Sequence, residues 1–167
     1  MYKRQTYTIP WSISLTATIV IGYEVGAKNF IGARQYAVLS QCTAFTIVIF
    51  TIAATYFFLE PIAHIFTNDI ETFAAIRTFL LFAVLFALFD ATGTPVQGIL
   101  RGYKDVKIIT YIAFVTYWLI SIPMGYACAH LTSYGPYGYW LSLVISLAIN
   151  ASALNYRLWR HTAFAQG

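Results

Sequence analysis

Five stretches of mostly apolar residues, separated by short polar links, dominate the chain. They cover residues 6–23, 35–59, 78–100, 108–129 and 137–156. Because a helix that crosses a bilayer needs about 20 largely apolar residues, each stretch predicts one transmembrane helix. The links contain turn-forming pairs such as Glu60-Pro61 and Gly135-Pro136. The pattern predicts an all-α integral membrane protein in which residues 1–167 form a single membrane region with five spans.

The first stretch is the shortest, and it alternates apolar residues with Ser12, Ser14, Thr16 and Thr18. This alternation is typical of a strand, but a transmembrane β-barrel would need it in many segments. The other four stretches are continuously apolar. We therefore predict a first helix that carries two polar stripes, Ser12/Thr16 and Ser14/Thr18.

Composition agrees with a membrane protein. Charged residues make up 10% of the chain, against roughly 25% in soluble domains. This excludes a soluble enzyme, a nucleic-acid-binding domain and a disordered chain. The sequence also has no nucleotide-binding Gly-x-x-x-x-Gly-Lys-[Ser/Thr] motif, and its three histidines are far apart. We predict no catalytic residues and no cofactor.

Basic residues are unevenly distributed between the two sides of the membrane that five spans define. Seven lie in the first link, the third link and the C-terminal tail, and three lie in the N-terminus and the second link. Because cytoplasmic loops carry the excess of Lys and Arg, the C-terminus is predicted to be cytoplasmic in the inner or plasma membrane. Lys3 and Arg4 then lie outside, against the bias, as expected for the C-terminal part of a longer protein.

Asp90 lies near the middle of the third stretch, 12 residues from Thr78 and 10 from Leu100. At 1.5 Å per residue it is roughly 15–18 Å from either end of the helix. A charged Asp at this depth costs about 2.5–3.5 kcal/mol, and such residues normally handle ions or protons. We predict that Asp90 binds a cation, and Na⁺ is the one metal ion that we expect there. The alternative is a protonated Asp that makes a structural hydrogen bond between helices.

Thr94 and Gln97 follow Asp90 at helical spacing, so the three residues share one face, which Arg101 continues. Pro95 cannot donate to the carbonyl of Ala91, and the freed carbonyl is a candidate cation ligand.

Polar residues also recur in the fourth and fifth stretches. Tyr117 and Ser121 lie in the fourth, and Ser146 and Asn150 continue a stripe from Ser142 in the fifth. Such stripes most often join helices, and the alternative is that they line a cavity together with Thr94 and Gln97. A cavity lined by aromatic rings and hydroxyls, with one carboxylate, would suit an organic cation.

Four blocks of sequence resemble the MATE (multidrug and toxic compound extrusion) transporters, and the NorM-like branch in particular. They are Val25-Gly26-Ala27-Lys28-Asn29, Phe89-Asp90-Ala91, Leu100-Arg101-Gly102-x-Lys104-Asp105, and Tyr117-Trp118 with Ile122-Pro123-Met124-Gly125-Tyr126. Their order, completed by Gly138-Tyr139-Trp140-Leu141, is similar to that of helices eight to twelve of the family.

The resemblance implies part of the C-lobe of a twelve-helix antiporter that expels cationic drugs in exchange for Na⁺ or H⁺. Asp90 matches the membrane-embedded carboxylate of the tenth helix, which implies that it binds the coupling cation. The N-lobe and the seventh helix have no counterpart in these residues. We therefore expect the chain to be inactive alone, with a missing N-lobe as its partner.

The sequence leaves two other functions open. One is a lipid or polysaccharide flippase of the same superfamily. The other is a membrane fragment that does not transport and self-associates in the bilayer through Ser142, Ser146 and Asn150 or through two Gly-x-x-x-Gly pairs, Gly22/Gly26 and Gly98/Gly102. The sequence does not distinguish Na⁺ from H⁺ as the coupling ion.

Overall fold

Five helices form the described part of the chain in a computed structural model. The structure describes residues 3–57, 70–131 and 136–164, with side chains at 8–57, 78–131 and 137–160. The helices are α1 (Lys3–Gly26), α2 (Phe30–Phe57), α3 (Ile70–Gly102), α4 (Val106–His130) and α5 (Pro136–Phe164). The all-α class is confirmed. Residues 58–69 lie outside the described residues; they comprise the last two residues of the second predicted stretch and the first ten of the second link.

Four helices are long and apolar enough to cross a membrane: Phe30–Phe57, Thr78–Gly102, Val106–His130 and Tyr137–Arg160. The predicted first span does form a helix, but α1 is not among these four within the described residues. The hydroxyls of its polar stripes explain the difference, because they lower the mean hydropathy of the segment. The described residues thus contain four candidate spans and one further helix, α1, at the position of the first predicted stretch.

A π-helical segment, Val115–Ser121, interrupts α4. It separates α-helix at Val106–Phe114 from α-helix at Ile122–His130. Pro123 lies two residues after the segment ends and has no N–H to donate to the carbonyl four residues earlier, which favours a wider turn before it. Tyr117 and Ser121, two predicted site residues, lie in this wide turn.

α3 is the central helix, since it packs against α1, α2 and α5, whereas α4 packs mainly on α5. Two clusters of buried apolar side chains join these helices. The first contains Ala17, Ile21, Ala33, Ala37 and Ile99, and the second contains Val96, Leu100, Ile109 and Leu154. Leu158 packs against both clusters, so the core is continuous from α1 to α5.

The contact between α1 and α3 depends on glycine. A Cβ atom at Gly98 would collide with the carbonyl oxygen of Ser14, and one at Gly102 would lie 2.9 Å from the Cβ of Ile21. The Thr18 hydroxyl donates to the Gly98 carbonyl at 3.0 Å. The predicted close packing is present at Gly98/Gly102, but it is wrong at Gly26, where a Cβ would meet nothing within 4 Å.

Most of the faces predicted for self-association are covered inside the chain, whereas Gly26 is exposed. Ser142, Ser146 and Asn150 are buried, and α1 covers Gly98 and Gly102. The predicted availability of Ser142, Ser146, Asn150, Gly98 and Gly102 to a second copy is therefore wrong, and self-association of the chain stays a prediction. Their small side chains serve contacts between helices of one chain instead.

The links after α1 and α3 have the same backbone geometry. In the first link, the Lys28 N–H donates to the Val25 carbonyl at 3.1 Å and the Asn29 N–H donates to the Glu24 carbonyl at 2.9 Å. In the second link, the Lys104 N–H donates to the Arg101 carbonyl at 2.9 Å and the Asp105 N–H donates to the Leu100 carbonyl at 2.9 Å. This is the Schellman pattern, in which a residue in the left-handed conformation follows the helix. Lys28 (φ 58°) and Lys104 (φ 64°) occupy that position, at a cost of about 1–2 kcal/mol for a residue with a side chain.

Candidate cation-binding site

Asp90 lies at the middle of the apolar segment Thr78–Gly102, 12 residues from each end. At 1.5 Å per residue this places the carboxylate about 18 Å from both ends of the segment. The helix that carries it packs against α1, α2 and α5. The fold therefore holds Asp90 at the depth where a charge is most costly in a bilayer.

A cavity of about 270 Å³ opens beside Asp90 between α1, α2 and α3. Its walls are apolar apart from Asp90 and Thr51: Ile9, Pro10, Ile13, Ala44, Ile47, Val48, Ala83, Phe86, Ala87 and Ala91. The Thr51 hydroxyl donates to the carbonyl of Ile47 in its own helix, at 2.9 Å. Among the described residues that line this cavity, Asp90 is thus the charged one and Thr51 the other polar one.

The Asp90 carboxylate has one hydrogen-bond donor among the described residues. The Thr94 hydroxyl, which is 6% exposed, donates to Oδ1 at 2.8 Å. A hydroxyl donor stabilises a carboxylate and fixes its orientation. No basic side chain pairs with Asp90 in the described part of the chain. A carboxylate held in this way can bind a monovalent cation or a proton, because either one removes its uncompensated charge.

Two amide side chains meet on a single backbone carbonyl of α3, next to Asp90. The Thr92 carbonyl accepts hydrogen bonds from Gln41 Nε2 of α2 at 3.1 Å and from Asn155 Nδ2 of α5 at 3.3 Å. Pro95, three residues later, is fully buried. The sequence predicted a freed carbonyl at Ala91, whereas the carbonyl that receives side-chain donors is that of Thr92. This junction ties α2 and α5 to the central helix beside the cavity.

Sequence reasoning missed both amides. Gln41 Oε1 is buried and has no hydrogen-bond partner among the described residues. The Gln41 side chain therefore uses its amide donor, on the Thr92 carbonyl, but not its acceptor. A buried acceptor without a partner costs about 1–3 kcal/mol. An amide inside an apolar stretch is a usable signal, because polar side chains in membrane helices normally bond across helices.

The other predicted site residues lie elsewhere. Gln97 and Tyr117 line a second groove between α3 and α4, together with Arg101. Ser121, Ser146 and Asn150 are buried, and the Ser146 hydroxyl donates to the Ser142 carbonyl at 2.6 Å. The structure therefore joins Thr94 to Asp90, and places the remaining five away from the walls of the Asp90 cavity.

Comparison with known proteins identifies close relatives of this chain. It is 43% identical over 152 residues to "Probable multidrug resistance protein NorM" of Halalkalibacterium halodurans, a match that covers 91% of this chain and 33% of the relative. The Bacillus subtilis protein of the same name is 42% identical over 152 residues, with 91% and 34% covered. This chain spans about a third of the length of these relatives, which fits the C-terminal part that the motifs predict.

Solved structures share the fold. The eukaryotic MATE transporter AtDTX14 superposes with a TM-score of 0.83 at 21% identity, over 95% of this chain and 37% of that one. A multidrug resistance MATE family transporter of the MOP superfamily, in an inward-facing conformation, gives 0.77 at 17% identity, over 96% and 40%. The family model described as MatE matches residues 4–127. Since this match covers most of the chain, the protein belongs to the MatE family.

Proposed function

We propose that this chain is the C-terminal part of an efflux antiporter that exports organic cation drugs in exchange for Na⁺ or H⁺. The observation that carries this proposal is Asp90, the one carboxylate among the described residues that line an apolar cavity at the middle of a membrane segment. The names of the relatives, which describe multidrug resistance proteins, support the class of substrate. The C-terminus is proposed to be cytoplasmic, because the basic residues are concentrated on that side.

The proposed exchange depends on a single negative charge. A Na⁺ ion or a proton neutralises Asp90 in one state, and the positive charge of a drug takes its place in the other. Because the cavity walls are apolar, they solvate the charge of Asp90 poorly. The carboxylate therefore needs a proton, Na⁺ or the drug cation beside it in each state. Thr94 holds the carboxylate in place while the partner changes.

In this mechanism the chain supplies one of the two moving parts that transport requires. Alternating access moves one repeat or bundle against another around a central site. The five helices described here contain one carboxylate at membrane depth and pack as one bundle. We therefore propose that transport requires further helices that belong to the opposite lobe, and that the 167-residue chain alone does not transport.

A chimera tests this function. The matching 152 residues of the Bacillus subtilis relative are replaced by those of this chain, and ethidium efflux is measured in everted vesicles from a strain without its own pumps. We expect efflux driven by a Na⁺ or H⁺ gradient from the chimera, and none from the 167-residue chain expressed alone. A chimera that inserts in the membrane but gives no efflux would contradict the function. Efflux by the chain alone would contradict the need for a second lobe.

Thr94→Val in the chimera is expected to lower the efflux rate about tenfold, because a hydrogen bond to a charged group contributes about 1.5–3 kcal/mol. Thr92→Val is the matched control, since the Thr92 hydroxyl donates to the Phe89 carbonyl of its own helix at 2.8 Å. The control should retain efflux within about twofold, as expected for loss of a local hydrogen bond. Thr94→Ser, which keeps the hydroxyl, should restore the rate. Equal rates for Thr94→Val and Thr92→Val would remove the positioning role.

A further inference from the structure

Lysine occupies both left-handed positions in the links after α1 and α3. Lys28 and Lys104 are the two non-glycine residues with positive φ among the residues that the structure describes. Glycine adopts this conformation without strain and is the usual residue after a helix that ends in this way. Two links with the same hydrogen bonds therefore both place a strained, exposed lysine where glycine would fold more easily. Strain of this kind is often retained for function.

Both lysines lie where apolar segments end. Lys28 comes two residues before Phe30, the start of one segment, and Lys104 lies between Gly102 and Val106, the end and start of two others. The polar headgroup layers begin directly outside the hydrocarbon core and add about 5–8 Å on each side. Lys28 and Lys104 are therefore at the level of lipid phosphates.

The two links lie side by side in the bundle. Gly102 contacts Ile21 and Gly22, and Tyr103 packs against the core cluster that contains Ile21 and Ala33. Burial raises the pKa of the Tyr103 hydroxyl, while the nearby Arg34 charge lowers it, which places Arg34 at the same end. The Asp105–Arg157 ion pair at 2.7 Å ties the C-terminal part of α5 to this end as well.

This end of the bundle has a large excess of positive charge. It carries two acidic residues, Glu24 and Asp105, against seven basic ones: Lys28, Arg34, Arg101, Lys104, Lys107, Arg157 and Arg160. Both acids are already engaged, Glu24 by the Asn29 amide at 2.7 Å and Asp105 by Arg157. The remaining charge is complementary to a layer of phosphates.

We propose that Lys28 and Lys104 form a paired binding site for the headgroup phosphates of anionic phospholipids, such as phosphatidylglycerol, in the adjacent leaflet. Each lysine near such a surface strengthens binding about fivefold, so the pair contributes about 25-fold. This inference rests on the links and the membrane segments. It stands or falls independently of the proposed transport function.

Glycine substitution separates the two roles of each lysine. The purified 167-residue chain and its Lys28→Gly/Lys104→Gly variant are placed in nanodiscs of phosphatidylcholine, with or without phosphatidylglycerol, and their thermal unfolding is compared. We expect phosphatidylglycerol to raise the midpoint of the wild-type chain by about 5 °C. The variant should be at least as stable in phosphatidylcholine, because glycine relieves the strain, and should lose most of the response to phosphatidylglycerol.

Three controls decide the outcome. Lys107→Gln removes an exposed lysine from the same end, at a position without positive φ, and should keep most of the response. Lys28→Arg/Lys104→Arg retains the charge and should keep it too. Soluble glycerol 3-phosphate should not stabilise the wild-type chain. The proposal is overturned if the glycine variant responds like the wild type, if Lys107→Gln loses as much, or if the soluble phosphate stabilises as well as the lipid.

Discussion

Gly98→Val is expected to disrupt the packing of α1 on α3 and to destabilise the bundle by about 3 kcal/mol or more. A side chain at this position collides with the Ser14 backbone, and backbone atoms cannot rotate aside as the end of a side chain can. The hydrogen bond from Thr18 to the Gly98 carbonyl breaks when the helices separate. Association of helices in lipid depends on such close contact, because apolar burial gives little driving force there.

The stability of purified variants in mild detergent, followed by thermal unfolding and by size-exclusion profile, measures this effect. Gly26→Ala is the matched control, since a Cβ at Gly26 meets nothing within 4 Å. It should unfold within about 1 kcal/mol of the wild type, as expected for a glycine at a helix end. A Gly98→Val variant as stable as Gly26→Ala would show that α1 does not pack on α3 as described.

Asp90→Asn is expected to reduce cation-coupled efflux by the chimera to the background of the strain without pumps. Asparagine has nearly the same shape, and its carbonyl oxygen can still accept the hydrogen bond from Thr94. The variant therefore keeps the packing and removes the negative charge of the cavity. Loss of efflux with unchanged insertion would assign the effect to charge, because a neutral amide cannot exchange one cation for another.

Ethidium efflux in everted vesicles provides the measurement, with the amount of protein in the membrane determined in parallel. Glu24→Gln is the control, because it removes an acidic group at the link end of the bundle, outside the Asp90 cavity. It should transport at the wild-type rate within about twofold, as is usual for a surface substitution. Coupled efflux that persists in Asp90→Asn would contradict the proposed role of this carboxylate.

The depth of Asp90 could be predicted from the sequence, whereas its surroundings could not. Depth follows from the count of apolar residues on either side, and the structure places Asp90 at the middle of the same segment. Thr94 could be assigned to it because a spacing of four residues along a helix is local information. The cavity is formed by residues of three helices, and their relative rotation is set by packing that one sequence does not reveal.

The same limit explains the missed junction at Thr92. Gln41 and Asn155 are separated from Thr92 by 51 and 63 residues, so no periodicity relates them. It also explains the two glycine pairs, which look alike in the sequence. Gly98 faces a neighbouring backbone, whereas Gly26 faces open space. Which glycine is essential depends on where the neighbouring helix crosses.

The π-helical segment of α4 changes which side of this helix faces its neighbours α3 and α5. An additional residue wound into a helix rotates everything beyond it by about 100°, since an α-helix turns once every 3.6 residues. The groove shared with α3 is lined by Phe114, before the segment, and by Tyr117 and Trp118, within it. Beyond it, Gly125 meets Ser142 of α5. The wide turn thus acts as an angular offset within one continuous helix, whose first part touches both α3 and α5 and whose remainder packs on α5.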